Sequence, residues 1–265
     1  MSTWKITPIK GKKIEIKNPI FIEGLPGIGN VGKVAVDFLI EELEAKKVYD
    51  IFSFTFPHSV FVNEDNLVEL PHIGIYHKKV GKNDFLFLAG DVQPMDEMAS
   101  YEFTDMILNI AQKHKCKEII TLGGIGLHDV PKNPKVYCTA NSSNIIKKYN
   151  KSKALDPNLY GVVGPIVGVS GLLLGLGKRR NIEAISLLAE THGHPAHLGI
   201  TGARELLKIL NCNLNLGLNM KDLECEIKEI EEDMYKKTQE LGQISKKTAL
   251  QKLKDKISKE TSYIG

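Results

Sequence analysis

The sequence predicts an α/β fold: a mixed or parallel sheet with helices on both faces. Two observations carry this prediction. From residue 20 to about residue 210, short apolar runs alternate with longer segments whose apolar residues recur at helical spacing. The segments that follow the apolar runs are rich in glycine, and in open α/β sheets such strand ends are where ligands bind.

The first element pair is the clearest. Ile20–Ile22 predicts a buried strand, and the apolar residues after Asn30 predict a helix that Asn30 can cap. In chain order the predicted strands are Ile20–Ile22, Val48–Phe54, His72–Tyr76, Phe85–Ala89, Glu118–Leu122 and Ala184–Leu188. The predicted helices are Asn30–Leu43, Met98–His114, Ser142–Tyr149, Pro165–Leu176 and Thr201–Leu210. Lys10–Asn18 is a candidate leading edge strand.

The turn between the first strand and the first helix satisfies one nucleotide-binding pattern and nearly satisfies another. Gly27-x-Gly29-x-x-Gly32 fits the dinucleotide fingerprint, in which glycines let a pyrophosphate approach a helix N-terminus. Gly32-Lys33 also ends a P-loop-like pattern, but Val34 stands where a P-loop has the hydroxyl that holds magnesium. The candidate ligand loop therefore consists of Gly27, Gly29, Asn30, Gly32 and Lys33. The alternative is that these glycines only pack the helix closely on its strand.

Composition limits the classes of function. The net charge is +3, from 35 basic and 32 acidic residues, and this predicts neither a nucleic acid nor a membrane partner. No apolar run reaches 18 residues, and the N-terminal residues do not form a secretory signal, so we expect a cytoplasmic protein. The four cysteines are far apart in sequence, which favours reduced thiols over a zinc or redox motif.

Two polar clusters are candidate sites of chemistry. The histidines of His192-Gly193-His194-Pro195-Ala196-His197, with Glu190, could gather a metal, but their spacings of two and three do not fit a helical zinc site. A loop after a strand is the alternative, and we predict no metal. Asp91, Asp96 and Glu97 are candidate paired carboxylates, although Asp96 and Glu97 also suit a helix N-terminus. No catalytic residue is predicted.

Composition changes near residue 218, which predicts a core domain at 1–217, a helical extension at 218–259 and a tail at 260–265. Residues 221–240 hold eight acids and four lysines, whereas residues 241–260 hold two acids and six lysines. Opposite charges at the two ends favour an antiparallel partner, within the chain or on another subunit. A helix that packs its apolar stripe on its own domain is the alternative.

Five motifs in order give the chain a family resemblance over roughly residues 18–215. They are Gly24-Leu25-Pro26-Gly27-Ile28-Gly29-Asn30-Val31-Gly32, Gly90-Asp91-Val92-Gln93-Pro94, Gly123-Gly124-Ile125-Gly126, Gly168-Val169-Ser170-Gly171-Leu172-Leu173 and Glu190-Thr191-His192-Gly193-His194-Pro195. With them the chain resembles the proteasome-assembly-chaperone family in its archaeal form. The resemblance implies a three-layer α/β/α sandwich like that of nucleoside phosphorylases. It also implies a homo-oligomer, such as a tetramer, that binds the α-ring of the 20S proteasome core particle.

The resemblance also implies where the proteasome is bound. In this family a C-terminal tail that ends hydrophobic–tyrosine–any residue enters pockets between α-subunits, where its terminal carboxylate meets a lysine. The corresponding residues here are Tyr263, Ile264 and Gly265. Tyr263 is third from the end rather than second, so the carboxylate would overshoot by about 3.3–3.6 Å. Ser262 also replaces the hydrophobic residue of the pattern.

The expected function is therefore ATP-independent binding of the proteasome core particle, for assembly, activation or both. Several tails of one oligomer would engage one ring, so that weak single contacts add up. No enzyme activity and no cofactor are expected. The alternative is a nucleotide- or nucleoside-binding enzyme that uses the Gly27-x-Gly29-x-x-Gly32 loop.

Overall fold

The structure is a computed structural model that describes residues 4–9, 15–62, 65–151, 154–156, 158–194 and 197–219. Residues up to Leu218 form one compact unit, and Asn219 begins a second. Apart from Leu218 and Asn219, the predicted helical extension and tail lie outside the described residues. The division into 1–217, 218–259 and 260–265 therefore stays a prediction.

The described residues form ten strands and five α-helices. The strands are β1 Trp4–Pro8, β2 Ile20–Glu23, β3 Lys46–Ser53, β4 Phe61–Val62, β5 Val68–Glu69, β6 Ile73–Val80, β7 Asn83–Gly90, β8 Glu118–Leu127, β9 Val136–Ala140 and β10 Ala184–His192. The helices are α1 Val31–Glu42, α2 Glu97–Lys113, α3 Ser143–Tyr149, α4 Val169–Arg179 and α5 Ile200–Leu214. A single 3-10 turn, Ile28–Asn30, precedes α1.

Eight of the strands form one mixed sheet in the order β1-β3-β6-β7-β2-β8-β10-β9. The four central strands β7, β2, β8 and β10 are parallel, and the strands on either side of them are antiparallel to their neighbours. All four residues of β2 are buried, as expected for a central parallel strand covered on both faces. The predicted α/β fold with a large mixed sheet is confirmed.

Helices cover both faces of the sheet. Phe21 of β2 and Ile119 of β8 pack in one buried cluster with Phe103 of α2 and Leu173 of α4, so α2 and α4 share one face. Helices α1 and α5 pack against each other, α1 contacts β7 and β8, and α5 contacts β10. Each helix buries an apolar stripe, which supplies the hydrophobic driving force for the layered arrangement.

The edge strand differs from its prediction. It is β1, Trp4–Pro8, which pairs antiparallel with β3, whereas the described part of the predicted strand Lys10–Asn18 is not a strand. Trp4 explains the choice, because its ring packs on Phe103 with a centroid distance of 4.7 Å. The buried aromatic side chain of Trp4 stabilises its segment more than the half-buried Ile16 can stabilise the other.

Two further boundaries differ. Strand β8 continues through Gly123 and Gly124, beyond its predicted end at Leu122. A Cβ at Gly124 would collide with the carbonyl oxygen of Ile28. Glycine there permits a close approach of two backbones, not a change of direction. Helix α4 begins at Val169 rather than Pro165, after Gly168 in the left-handed region with φ +86°.

Candidate functional site

The parallel strands β7, β2, β8 and β10 all end at one edge of the sheet, here called the carboxyl edge. The connection between β3 and β6 lies at the same edge, because Ile51 pairs with Ile73 and Ile73 pairs with Gly90. In open α/β sheets this is where ligands and partners bind. The glycine loop, the histidine cluster and the residues that follow β7 all lie there.

The glycine loop is built mainly by packing. A Cβ on Gly32 would collide with the carbonyl oxygen of Leu122, so glycine lets α1 approach β8. Gly29 has φ +60° and faces Thr191 of β10. Asn30 precedes α1 as predicted, but its backbone is left-handed and its side chain makes no capping hydrogen bond. Gly27, in contrast, has an extended backbone and open space around it.

Lys33, the predicted phosphate ligand, is already engaged by oxygen atoms. Its Nζ lies 2.8 Å from Asp37 Oδ2, donates to the carbonyl of Gly90 at 3.1 Å, and lies 3.9 Å from Asp91 Oδ1. Asp91 in turn lies 2.6 Å from Nδ1 of His72. An ammonium group has three donors. A phosphate would therefore have to compete with two carboxylates for Lys33. The ligand-loop assignment remains a prediction.

Gly32 has the least space for a side chain among the loop glycines and Gly27 has the most, so the two together test the packing interpretation. Gly32→Ala is expected to destabilise the protein by about 1–3 kcal/mol, because α1 must move away from the Leu122 backbone. Gly27→Ala is expected to change the free energy of unfolding by less than about 0.5 kcal/mol, since its Cβ meets no neighbour. Urea unfolding of both variants and the wild type measures this. Equal stability of the two variants would contradict the packing role of Gly32.

A buried carboxyl lies directly before the glycine loop. Glu23 ends β2 with 1% exposure, accepts a hydrogen bond from the Leu25 N–H at 2.9 Å, and accepts another from the Ser170 hydroxyl at 2.9 Å. Burial raises the pKa of the Glu23 carboxyl to about 7, although the bonds from Leu25 and Ser170 lower it. The Glu23–Ser170 bond ties the end of β2 to the first turn of α4.

Other hydroxyl groups lie in line with Glu23. Its register partner in β8 is Thr121, and the partner of Thr121 in β10 is Ser186. Register partners in adjacent strands point to the same face of a sheet. Both residues are fully buried, and neither hydroxyl has a hydrogen-bond partner among the residues that the structure describes. The α4 face of the central strands therefore contains a short polar row within an apolar layer.

The burial of this polar row limits the catalytic chemistry that this face of the sheet can carry out. A carboxyl with a pKa near 7 is suited to general acid–base catalysis, because it can both give and take a proton at neutral pH. Glu23, however, is closed off on all sides. A substrate could reach it only if α4 or the loop before it moved. In this arrangement the carboxyl acts as a structural link.

The histidine cluster is brought together at the end of β10. The ring centroid of His192 lies 5.8 Å from that of His194 and 5.4 Å from that of His197. Glu190, considered as a fourth ligand, instead accepts hydrogen bonds from the Lys135 N–H at 2.9 Å and the Tyr137 hydroxyl at 3.2 Å. Within the described ranges, which omit residues 195 and 196, no group of three or more His, Cys, Asp or Glu has metal-site geometry.

The remaining predicted carboxylates have local structural roles. The Asp96 carboxylate accepts a hydrogen bond from the Ala99 N–H at 2.8 Å and so caps α2, and Glu97 lies in the first turn of that helix. Asp91 accepts a hydrogen bond from the His72 N–H at 3.1 Å, which joins the ends of β6 and β7. These acids are therefore explained by helix capping and loop closure.

The carboxyl edge is also apolar on its surface. Sixteen large hydrophobic residues are exposed within the described part of the chain, and seven of them lie between β3 and β6, at this edge. Phe54, Val62 and Val68, between β3 and β6, are 78%, 66% and 69% exposed. An exposed apolar surface of this kind marks an interaction site more often than chance. No helix in the described ranges combines the length and apolarity needed to cross a bilayer.

The sequence did not point to Glu23, Ser170 or the exposed connection between β3 and β6. One signal for Glu23 was present: a single acid directly after a continuous apolar strand and before a glycine. Exposure of the connection could not be read from its composition, because apolar residues between two strands can equally be core. The predicted tail residues Tyr263, Ile264 and Gly265 lie outside the described residues.

Comparisons with known proteins agree over most of the chain. The model of the PAC2 family matches residues 21–238. An uncharacterised protein of Methanocaldococcus jannaschii, MJ1210, is 31% identical over 247 residues, a match that covers 89% of this chain and 93% of that protein.

Two crystal structures from Pyrococcus furiosus are similar in fold and sequence. PbaB, described as an archaeal proteasome activator, has a TM-score of 0.78 at 34% identity, covering 89% of this chain and 99% of PbaB. PbaA, described as an archaeal homologue of proteasome-assembly chaperone, has a TM-score of 0.74 at 25% identity, covering 99% of this chain and all of PbaA. The fold of the chain is that of these proteins.

Proposed function

Because the chain belongs to the PAC2 family, we propose that it binds the α-ring of the 20S proteasome core particle. The observation that carries the proposal is the similarity to PbaB, which is described as a proteasome activator and is matched over nearly its whole length. The role would be assembly, activation or both, in the cytoplasm and without ATP.

The proposed contact is the C-terminal tail, with Tyr263, Ile264 and Gly265 entering pockets of the ring. One tail offers one aromatic side chain and one carboxylate, so a single contact would be weak. We propose that a homo-oligomer presents several tails to one ring, because later tails then bind at a high effective concentration. The charged segment 221–258 would hold or project them.

The first experiment is binding to the core particle. Purified full-length protein is mixed with 20S core particle from the same organism, and the mixture is run on a native gel. A co-migrating complex that forms without ATP is expected. If no complex forms at micromolar concentrations of both components, the proposed function is wrong.

The alternative function, a nucleotide- or nucleoside-binding enzyme, draws less support from the geometry. Gly32 packs on Leu122, and Lys33 is surrounded by Asp37, Asp91 and a carbonyl. A thermal-shift screen with nucleotides and nucleosides separates the two functions, because a ligand that binds only the native state raises the melting temperature. A rise with the wild type that is lost in Lys33→Ala would favour the enzyme.

A further inference from the structure

The polar row formed by Glu23, Thr121 and Ser186 continues towards one edge of the sheet. The register partner of Ser186 in β9 is Thr139, which is half-buried, and β9 is the last strand of the eight-stranded sheet. In the other direction the row ends at once, because the partner of Glu23 in β7 is Leu88. The polar side chains therefore run in one direction only, from a buried carboxyl to the outermost strand.

Apolar clusters lie on both sides of this row. The residues two positions before it in β2, β8 and β10 are Phe21, Ile119 and Ala184, and they belong to the cluster that α2 and α4 cover. Two positions after the row in β10 lies Leu188, which belongs with its register partner Tyr137 to a second, smaller cluster. The polar row therefore marks the boundary between two apolar clusters on one face of the sheet.

Two hydroxyl groups at this boundary lack the hydrogen bonds that buried polar groups normally make. Thr121 and Ser186 are fully buried, and neither hydroxyl has a partner among the described residues. An unsatisfied buried hydroxyl lowers stability, so native proteins contain few of them. The adjacent Glu23 carboxyl accepts one hydrogen bond from the Leu25 N–H and one from the Ser170 hydroxyl, which leaves it further lone pairs.

The spacing of the strands suits a water molecule between the two hydroxyls. Neighbouring strands lie about 4.8 Å apart, so register partners on one face are separated by about that distance. A water that makes two hydrogen bonds of about 2.8 Å at a tetrahedral angle joins oxygen atoms about 4.6 Å apart. Buried waters typically make about three hydrogen bonds, and Thr121, Ser186 and Glu23 together offer three partners.

We infer that ordered water binds in the row between Glu23, Thr121 and Ser186 and connects the sheet to α4. The connection runs from the two hydroxyls through the water to the Glu23 carboxyl, and from that carboxyl to Ser170 in the first turn of α4. Water reaches the row from the side of β9, where Thr139 is half-buried. The contact between α4 and the sheet is therefore polar and hydrated at this level, and apolar on either side of it.

An isosteric substitution distinguishes a hydrated row from a dry one. Thr121→Val replaces the hydroxyl with a methyl group of similar size. With water bound, this removes one of the partners of the water, and we expect the equilibrium constant of unfolding to rise about 5-fold or more. In a dry row the same change removes an unsatisfied hydroxyl, so an unchanged or lower constant would overturn the inference. Urea unfolding of full-length proteins measures the constant.

Thr191→Val is the matched control. Thr191 is also buried with a hydroxyl that has no partner among the described residues, but its register partner in β8 is Gly126, so no second hydroxyl lies beside it. We expect this variant to have an unfolding constant equal to or lower than that of the wild type. Circular dichroism should show that both valine variants are folded.

A double-mutant cycle tests whether the two hydroxyls share one water. Either Thr121→Val or Ser186→Ala removes a partner of the same water, so the second substitution should add little to the effect of the first. The unfolding constant of the double variant is therefore expected to lie well below the value obtained by multiplying the two single effects. Effects that multiply would contradict a shared water.

A high-resolution crystal structure of the full-length wild type gives the direct observation. Electron density for a water within about 3.2 Å of both Thr121 Oγ1 and Ser186 Oγ is expected. The same density should be lost or displaced in Thr121→Val. A wild-type structure with clear density for both side chains and no water between them would overturn the inference.

Discussion

Removal of Tyr263–Gly265 is expected to lower the affinity for the 20S core particle by about 100-fold or more, while the fold is unchanged. The physical reason is multivalency, because each tail contributes a weak contact and several tails together give the overall affinity. Truncation removes the tail contact from every subunit, so this gain in affinity is lost. Native gels with full-length and truncated protein, titrated against a fixed amount of core particle, measure the change. An unchanged complex would move the contact to the globular domain.

A shorter truncation gives a matched control for the proposed tail contact. Deletion of Gly265 alone makes Tyr263 the second-last residue, the position that the family pattern has, and moves the terminal carboxylate back by about 3.3–3.6 Å. If a lysine in the ring binds that carboxylate, this variant should bind at least as tightly as the full chain, since a charge-assisted hydrogen bond needs close contact. Weaker binding after this deletion would show that the ring accepts the longer tail as it stands.

Glu23→Gln is expected to stabilise the protein by about 3 kcal/mol at pH 8.5 and to have little effect near pH 4.5. Below pH 4.5 the carboxyl is protonated in the folded and the unfolded chain. Between pH 4.5 and about 7 the unfolded chain releases this proton while the folded chain retains it, so stability falls as the pH rises. Above pH 7 the folded protein carries a buried carboxylate. Glutamine is neutral, can accept from Leu25 N–H, and can donate to the Ser170 hydroxyl.

Urea unfolding of the wild type and the variant, at matched protein concentration and at several pH values, gives the difference in unfolding free energy. The matched control is Glu118→Gln, because Glu118 is also buried but lies 2.5 Å from Lys148 Nζ and accepts from the Tyr149 hydroxyl at 2.6 Å. Its loss should destabilise the protein, since the charge-assisted hydrogen bonds from Lys148 and Tyr149 are weakened. A stability difference for Glu23→Gln that does not vary with pH would contradict the buried-acid assignment.

The sequence predicted the central part of the fold well, because there local pattern and tertiary environment agree. Ile20–Ile22 is a continuous apolar run that only a doubly covered strand accommodates, and it forms β2. Helix α2 begins where Asp96 caps it. The predictions failed where distant contacts decide: β1 exists because Trp4 reaches Phe103, and β9 is a short strand held at the sheet edge by β10.

The site was less predictable for the same reason. The glycines of the loop fit a nucleotide-binding pattern, yet the role of Gly32 depends on Leu122, which is 90 residues further along the chain. The pKa of Glu23 is raised because the fold buries its carboxyl, although the hydrogen bond from Ser170 lowers it, and no local pattern carries that information. The position of the β3–β6 connection at the carboxyl edge likewise follows from strand pairing, which no local pattern predicts.

The place of β2 at the centre of the sheet affects how the chain folds. Ile20 pairs with Phe85 and with Glu118, which lie 65 and 98 residues later in the chain. Strand β2 therefore cannot pair until those later segments are in place. The β6–β7 hairpin needs only the short turn at Gly81–Lys82 and can form at once. Contacts between residues so far apart in sequence slow folding, because a long loop must close before they stabilise anything. Until β2 inserts, the facing edges of β7 and β8 stay open to other chains, so the protein is expected to be most prone to aggregation at that stage of its synthesis.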